Sequence, residues 1–186
     1  EAPAQLLGVH VQRNYVMRLT RAALVSIMLA APVAAQEREG YEVADGVVTV
    51  QDVVYAERGE RALRFDVAFP TQVDAPLPVV VFLHGGAFRS GDRAEGHDAC
   101  RLLAQGGYFA ATIDYRVVPD QYPAAAHDVH DFVRFVQANA DELSIDPRRI
   151  GVVGVTAGGH LATLVALAEN ASLFASDLTR EIIPIR

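Results

Sequence analysis

The sequence predicts an α/β domain in which an N-terminal antiparallel hairpin is followed by parallel strands with flanking helices. Two observations lead to this prediction. Alternating apolar residues first indicate two strands joined by turn residues, and continuous apolar runs then alternate with helical patterns. Such an alternation is typical of an open sheet, in which ligands bind beyond the carboxyl ends of the strands.

The predicted elements follow one another in the order β-β-β-α-β-α-β-α. Val47–Ala56 and Arg61–Phe69 alternate like half-buried strands, with the turn residues E-R-G-E between them. Pro78–Leu83 is continuously apolar, which predicts a strand that is covered on both faces. The later elements are a helix over Gly96–Gln105, a strand over Tyr108–Tyr115, a long helix ending near Asn139, a turn over Asp146–Arg149, a strand over Ile150–Val155 and a helix over Ala157–Ala168.

The composition describes an acidic globular chain. It has 16 basic residues, all arginine, against 23 acidic ones, which gives a formal net charge of −7. Because no basic tract is present, we expect no nucleic-acid partner. Cys100 is the only cysteine, so no intrachain disulfide can form, and we expect this thiol to pack in the core.

The N-terminal sequence has the pattern of a secretory signal peptide over residues 17–35. M-R-L-T-R precedes an apolar stretch at 22–31, and P-V-A-A-Q then predicts cleavage after Ala35. The apolar stretch is too short for a comfortable membrane span, so we expect a secreted or periplasmic protein with no stable membrane anchor after cleavage. Residues 1–16 are interpreted as a non-native upstream extension, and 36–186 as the folded domain.

Two glycine-containing motifs fall where predicted strands end. H-G-G-A-F begins at His84, and G-V-T-A-G-G-H has Gly154 and Gly158 on either side of Thr156. The second motif has the layout of a nucleophile elbow, the sharp G-x-S-x-G turn between a strand and a helix, with threonine in the place of serine. Alone, a glycine pair after a strand indicates only a tight turn, but the two motifs together are much harder to obtain by chance.

On these motifs the chain resembles the HGG-type esterases and lipases of the α/β-hydrolase superfamily, including the hormone-sensitive-lipase-like and feruloyl-esterase-like branches. The resemblance covers about residues 47–170 and includes P-V-V-V-F-L-H-G-G-A-F, G-Y-F-A-A-T-I-D-Y-R and I-D-P-R-R-I-G-V-V-G-V-T-A-G-G-H-L-A. It implies acyl transfer from a small-molecule ester without a metal or other cofactor. It also implies a nucleophile position at Thr156, oxyanion donors at Gly85, Gly86 and Ala157, and supporting roles for His84, Gly154 and Gly158.

Two departures from this pattern predict an impaired or inactive chain. The methyl group of Thr156 restricts the side chain within a strained turn, although the hydroxyl is kept. In these hydrolases the acid and then the histidine of the triad follow the nucleophile, but His160 is the only histidine after Thr156. His160 lies too close to Thr156 in sequence for its side chain to turn back onto the threonine hydroxyl. The later acids are Glu169, Asp177 and Glu181. The sequence is therefore interpreted as a C-terminally truncated hydrolase without an evident triad Asp and His.

Several other polar residues suggest weaker alternatives. His127, His130 and Asp131 have the i, i+3, i+4 spacing of a helical metal site, but a solvated helix face is the preferred interpretation. Structural hydrogen bonds or support of loops near the site, rather than proton transfer, are expected for Asp114, Arg116, Asp128 and His84.

Three hypotheses of function remain at this point. The first is a carboxylic-ester hydrolase lineage, which the H-G-G-A-F loop and the short hairpin favour. The second is a serine-peptidase relative, and the third is a noncatalytic pseudoenzyme or fragment, which Thr156 and the missing histidine favour. The substrate preference and the oligomeric state stay open.

Overall fold

The computed structural model describes residues 41–167, which form one six-stranded sheet with helices. The strands are β1 Tyr41–Ala44, β2 Val47–Arg58, β3 Arg61–Pro70, β4 Leu77–Leu83, β5 Phe109–Ile113 and β6 Ile145–Gly154. A 3-10 turn, Arg93–Gly96, precedes the helices, which are α1 His97–Gln105, α2 Ala124–Ala138, α3 Ala140–Leu143 and α4 Ala157–Leu167.

The strand order across the sheet is β1-β2-β3-β5-β4-β6. The pairs from β1 to β3 are antiparallel, as is the pair of β3 with β5, whereas β4 runs parallel to both β5 and β6. This arrangement confirms the predicted fold class. It also places the carboxyl ends of β4 and β6 side by side, because Leu83 pairs with Gly154.

The structure differs from the sequence-based prediction in several elements, among them the short helix α3, which the sequence did not predict. It also contains the strand β1. The sequence did not predict this strand because the four residues Tyr41–Ala44 are too few to show a period of two. The predicted turn Asp146–Arg149 lies inside β6 instead, where the register shifts between the pairs Leu77–Ile145 and Val79–Ile150. The extra residues are accommodated locally, since Asp146 accepts a hydrogen bond from the Arg148 N–H at 3.0 Å.

Apolar side chains cover both faces of the sheet. On one face α2 buries the residues that repeat at helical spacing, Val129, Phe132, Val133 and Val136, against the larger core cluster. On the other face α1 packs Cys100 and Ala104 against Phe82 and its neighbours. Burial raises the pKa of the Cys100 thiol to about 12, so this cysteine is an unreactive core residue, as predicted.

The predicted signal peptide at 17–35, the upstream extension at 1–16 and the three late acidic residues lie outside the described residues. Between residues 41 and 167, no helix is both long enough and apolar enough to cross a membrane.

Candidate active site

The two glycine motifs meet at the carboxyl end of the sheet. The Val155 N–H donates to the Leu83 carbonyl at 3.1 Å, which continues the pairing of β4 with β6 one residue past the strand end. The residues that follow are therefore neighbours. A Cβ built on Gly85 would lie 2.8 Å from Thr156 Oγ1, so the hydroxyl rests directly against the H-G-G-A-F loop.

The segment from Gly154 to Gly158 has the backbone of a sharp strand-to-helix turn. Thr156 is exposed and has a φ of 47°, a left-handed conformation that is strained for a β-branched residue. The glycines on either side allow close backbone contact. A Cβ on Gly154 would lie 2.3 Å from the carbonyl carbon of Gly158, and a Cβ on Gly158 would lie 2.2 Å from Leu83 O.

Two backbone segments that carry N–H groups adjoin Thr156, the start of α4 and the H-G-G-A-F loop. Ala157 is the first residue of α4, and the first N–H groups of a helix have no partner within it and lie at its positive end. The opposite side is the loop at Gly85 and Gly86, where Gly86 has a φ of 97°. Such groups are suited to hold a negatively charged oxygen.

The loop is more strained than its sequence suggests. Ala87 and Phe88 follow Gly86 with φ values of 52° and 60°, so three successive residues have positive φ. Hydrogen bonds from the N–H groups of Arg89 and Ser90 to Gly86 O, at 2.9 and 3.2 Å, close the turn. Sequence reasoning missed Ala87 and Phe88, because non-glycine residues give no sign of this conformation.

His84 stabilises the loop from its buried side. Its Nδ1 lies 2.8 Å from Gly85 O, so Nδ1–H donates to that carbonyl. The ring stacks on Tyr115 with the ring centroids 4.1 Å apart. Gly91 makes room for this arrangement, since a Cβ there would lie 2.3 Å from His84 Nδ1.

No side chain between residues 41 and 167 hydrogen bonds to Thr156 Oγ1. The His160 backbone N–H donates to Thr156 O at 3.0 Å, while its ring contacts Phe88 edge to face at 6.1 Å. His84 is engaged by its own loop, and His97 Nε2 lies 2.6 Å from an Asp66 oxygen. The described part of the chain therefore places no general base at the hydroxyl.

The preferred interpretation of the helix face with His127, His130 and Asp131 as solvated is wrong. His130 is buried, and burial, with Arg134 and His127 nearby, lowers its pKa to about 4. Asp131 forms an ion pair with Arg58. Within the described residues no group of three or more His, Cys, Asp or Glu side chains could hold a metal ion. The error arose because helical spacing does not show which face another element covers.

Asp128 has the structural hydrogen-bonding role that the sequence predicted. Its side chain is fully buried and accepts hydrogen bonds from the Arg116 N–H at 2.9 Å and from both Nε and Nη2 of that guanidinium at 2.8 Å. Arg58 Nε lies 3.4 Å from the same carboxylate. The Arg116–Asp128 pair fixes the chain after β5 to the start of α2.

Arg93 ties the end of the glycine loop to the sheet. Its guanidinium lies 2.8 Å from Asp66 through Nε and 2.6 Å from Asp114 through Nη1, and it also contacts Asp52. His97 adds a second donor to Asp66. Burial alone would raise the pKa of Asp66, but hydrogen bonds from His97 and Arg93 outweigh burial and lower it.

We expect Asp66 to stabilise the fold in a pH-dependent manner. Because its pKa is lower in the folded than in the unfolded chain, its contribution is present above about pH 4 and is lost as the pH falls through the folded-state value. Asp66→Asn should therefore lower the free energy of unfolding at pH 7, and the difference from wild type should shrink towards pH 3. Urea unfolding followed by circular dichroism measures this, and Asp74→Asn, at an exposed position, is the control. An equal difference at both pH values would contradict the prediction.

Comparison with known proteins identifies the relatives of this fold and site. Residues 65–182 match the family model BD-FAE. The chain is 37% identical to the esterase LipC of Mycobacterium tuberculosis over 55% of its own length and 26% of that protein. It is 34% identical to an ethyl acetate hydrolase of Pseudomonas putida over 76% of its length and 46% of that protein. The chain thus spans less than half the length of these two relatives.

Solved structures agree with this relationship. Esterase 2 of Thermogutta terrifontis phosphorylated by paraoxon superposes with a TM-score of 0.62 at 28% identity, covering 76% of this chain and 52% of the esterase. The apo form of the same esterase gives a TM-score of 0.61. The chain therefore belongs to the BD-FAE family, and the part described here is a portion of an α/β-hydrolase fold of the carboxylesterase lineage.

Proposed function

We propose that the chain carries the acyl-transfer site of a carboxylic-ester hydrolase, with Thr156 as the nucleophile. Gly85, Gly86 and Ala157 are the donors that stabilise the oxyanion in this proposal. The observation that carries it is the contact between the two motifs, in which a Cβ on Gly85 would lie only 2.8 Å from Thr156 Oγ1. An ester carbonyl attacked by this hydroxyl would develop its negative charge beside the N–H groups of the loop and of α4.

The names of the relatives support a small, uncharged ester as the substrate. One relative is an ethyl acetate hydrolase, and two others are a carboxylesterase and an esterase. The acidic net charge of −7 also disfavours anionic substrates. Acyl transfer at this site needs no cofactor.

We further propose that residues 41–167 alone support little turnover. Thr156 holds a β-branched side chain at a φ of 47°, which leaves its hydroxyl few accessible positions. No described side chain accepts its proton, and loss of the base in a hydrolase triad costs on the order of a millionfold in turnover. Attack on the ester would pass the hydroxyl proton to solvent, and the C–O bond to the leaving group would break as the alkoxide takes up a proton from solvent and departs as the alcohol. Hydrolysis of the resulting acyl-threonine would then be slow for the same reason.

Intact-protein mass spectrometry after incubation with p-nitrophenyl butyrate tests this function. We expect one butyryl adduct that maps to Thr156 and accumulates slowly, with almost no steady-state turnover. Thr156→Ser should acylate faster because the methyl group is gone, yet steady-state turnover should not return. Thr156→Ala should lose the adduct, whereas Thr163→Ala, at an exposed threonine on the helix α4 that follows Thr156, should keep it.

Two results of this experiment would contradict the proposal. If neither the wild type nor Thr156→Ser forms an adduct at position 156, the site is noncatalytic and the proposal fails. Rapid turnover by the unmutated chain would instead contradict the proposed impairment, and it would require a base that the described residues do not supply.

A further inference from the structure

We propose that Tyr115 is a positioning residue of this site and that its hydroxyl aims the Gly85 N–H at the oxyanion. The Tyr115 hydroxyl donates to His84 O at 2.7 Å, and it lies 3.5 Å from Gly85 O. Tyr115 is buried at the carboxyl end of β5, the strand next to β4. The inference rests on the proposed function and adds a role for a residue outside both glycine motifs.

The geometry of the peptide bond links this hydrogen bond to the oxyanion donors. A peptide unit is planar, and in the trans form its C=O and N–H point in opposite directions. The two peptide bonds that join His84 to Gly85 and Gly85 to Gly86 are trans. When Tyr115 holds the C=O of His84 on its own side, the Gly85 N–H must point away from Tyr115.

The next peptide unit is fixed in the same way. His84 Nδ1–H donates to Gly85 O at 2.8 Å, which directs the Gly86 N–H away from the imidazole. The N–H groups of Gly85 and Gly86 are thus each oriented by a hydrogen bond to the carbonyl oxygen of the same peptide unit. The acceptors face one side of the loop, where the stacked rings of His84 and Tyr115 lie, and Thr156 Oγ1 lies against Gly85.

Glycine makes such fixing necessary. A residue without Cβ rotates readily, and a rotated His84–Gly85 peptide would present a carbonyl oxygen where the N–H is needed. The oxygen would repel the developing negative charge. Burial, with a smaller effect from Glu95, raises the pKa of Tyr115 to about 12, so the hydroxyl stays protonated and remains a donor.

The Tyr115→Phe variant separates the hydroxyl from the ring. The ring planes of Tyr115 and His84 lie 7° from parallel, and Tyr115 also contacts Phe88 edge to face. Phenylalanine keeps both ring contacts, so the core stays filled. Only the hydroxyl is lost, with its hydrogen bond to His84 O and its 3.5 Å contact with Gly85 O. Tyr122→Phe removes a hydroxyl from an exposed tyrosine that follows β5 and is the matched control.

Titration with butyrate, followed by 1H–15N NMR of the full 186-residue chain, tests the proposal without any chemical step. A carboxylate oxygen serves as the probe for the oxyanion position. In the wild type we expect the amide protons of Gly85, Gly86 and Ala157 to shift downfield together. In Tyr115→Phe the Gly85 shift should be lost, and the dissociation constant for butyrate should rise about tenfold or more, the effect of one hydrogen bond to a charged group.

The outcomes distinguish this proposal from the one on which it rests. If the wild type responds and Tyr115→Phe keeps the Gly85 shift and the same dissociation constant, the role of Tyr115 is wrong while the oxyanion site stands. If no wild-type amide of the three responds to butyrate, the oxyanion site itself fails, and both proposals fall. Loss of the Gly85 shift in Tyr122→Phe as well would show a general disturbance of the region and would also overturn the proposal.

Discussion

Gly158→Ala is expected to destabilise the chain by about 3 kcal/mol, which is at the upper end of overpacking effects. A Cβ on Gly158 would lie 2.2 Å from Leu83 O and 2.5 Å from His84 O. Neither carbonyl can move at low cost. Leu83 O accepts a hydrogen bond from the Val155 N–H, and His84 O accepts one from Tyr115. The methyl group would therefore separate α4 from β4 and disrupt the site.

The adjacent glycine is a matched control for this prediction. In Gly159→Ala the new methyl group would meet only the Gly154 carbonyl, with its oxygen at 3.1 Å and its carbon at 3.7 Å, and alanine favours a helix more than glycine does. We expect its free energy of unfolding to stay within about 1 kcal/mol of the wild type. Urea unfolding at pH 7, followed by circular dichroism, measures both variants. Equal stability of the two would show that the helix can shift to accommodate a methyl group at Gly158.

The meeting of the two glycine motifs at one end of the sheet could be predicted from the sequence because its signal is local. A strand-ending elbow or glycine loop is encoded by neighbouring residues, and the parallel pairing of β4 with β6 then brings the two segments together. The contact of Gly85 with Thr156 follows from that register. Strand β1 was not predicted because four residues are too few to show the alternation of apolar and polar residues that indicates a strand.

The supporting role of Tyr115 could not be found in the same way. Tyr115 belongs to a D-Y-R segment that the sequence singles out, but its bond to His84 O spans 31 residues. That bond depends on the pairing of Leu83 with Ile113, which places the two segments after these strands side by side. The burial of His130 likewise depends on which elements cover α2, and spacing along a helix does not encode this.

The cluster around Arg93 joins residues that are far apart in sequence, and we expect its loss to have the second large effect. Arg93→Gln should lower the free energy of unfolding by about 3 kcal/mol at pH 7, since removing one partner of a largely buried ion pair leaves charge uncompensated. Its side chain is only 19% exposed and contacts Asp52, Asp66 and Asp114, which come from three separate segments. Without the guanidinium, His97 is the remaining described side chain that donates a hydrogen bond to these three carboxylates, and it contacts Asp66.

A control and a pH series separate this electrostatic effect from lost packing. Arg101→Gln breaks an exposed contact with Glu42 at 3.4 Å and should change stability by less than about 0.5 kcal/mol. The destabilisation by Arg93→Gln should shrink between pH 7 and about pH 3.5, because protonation of Asp66 removes a buried charge that the guanidinium otherwise compensates. A loss that stays constant across this range would assign the effect to the packing of the arginine side chain. A loss as small as that of Arg101→Gln would show that the cluster contributes little to the stability of the fold.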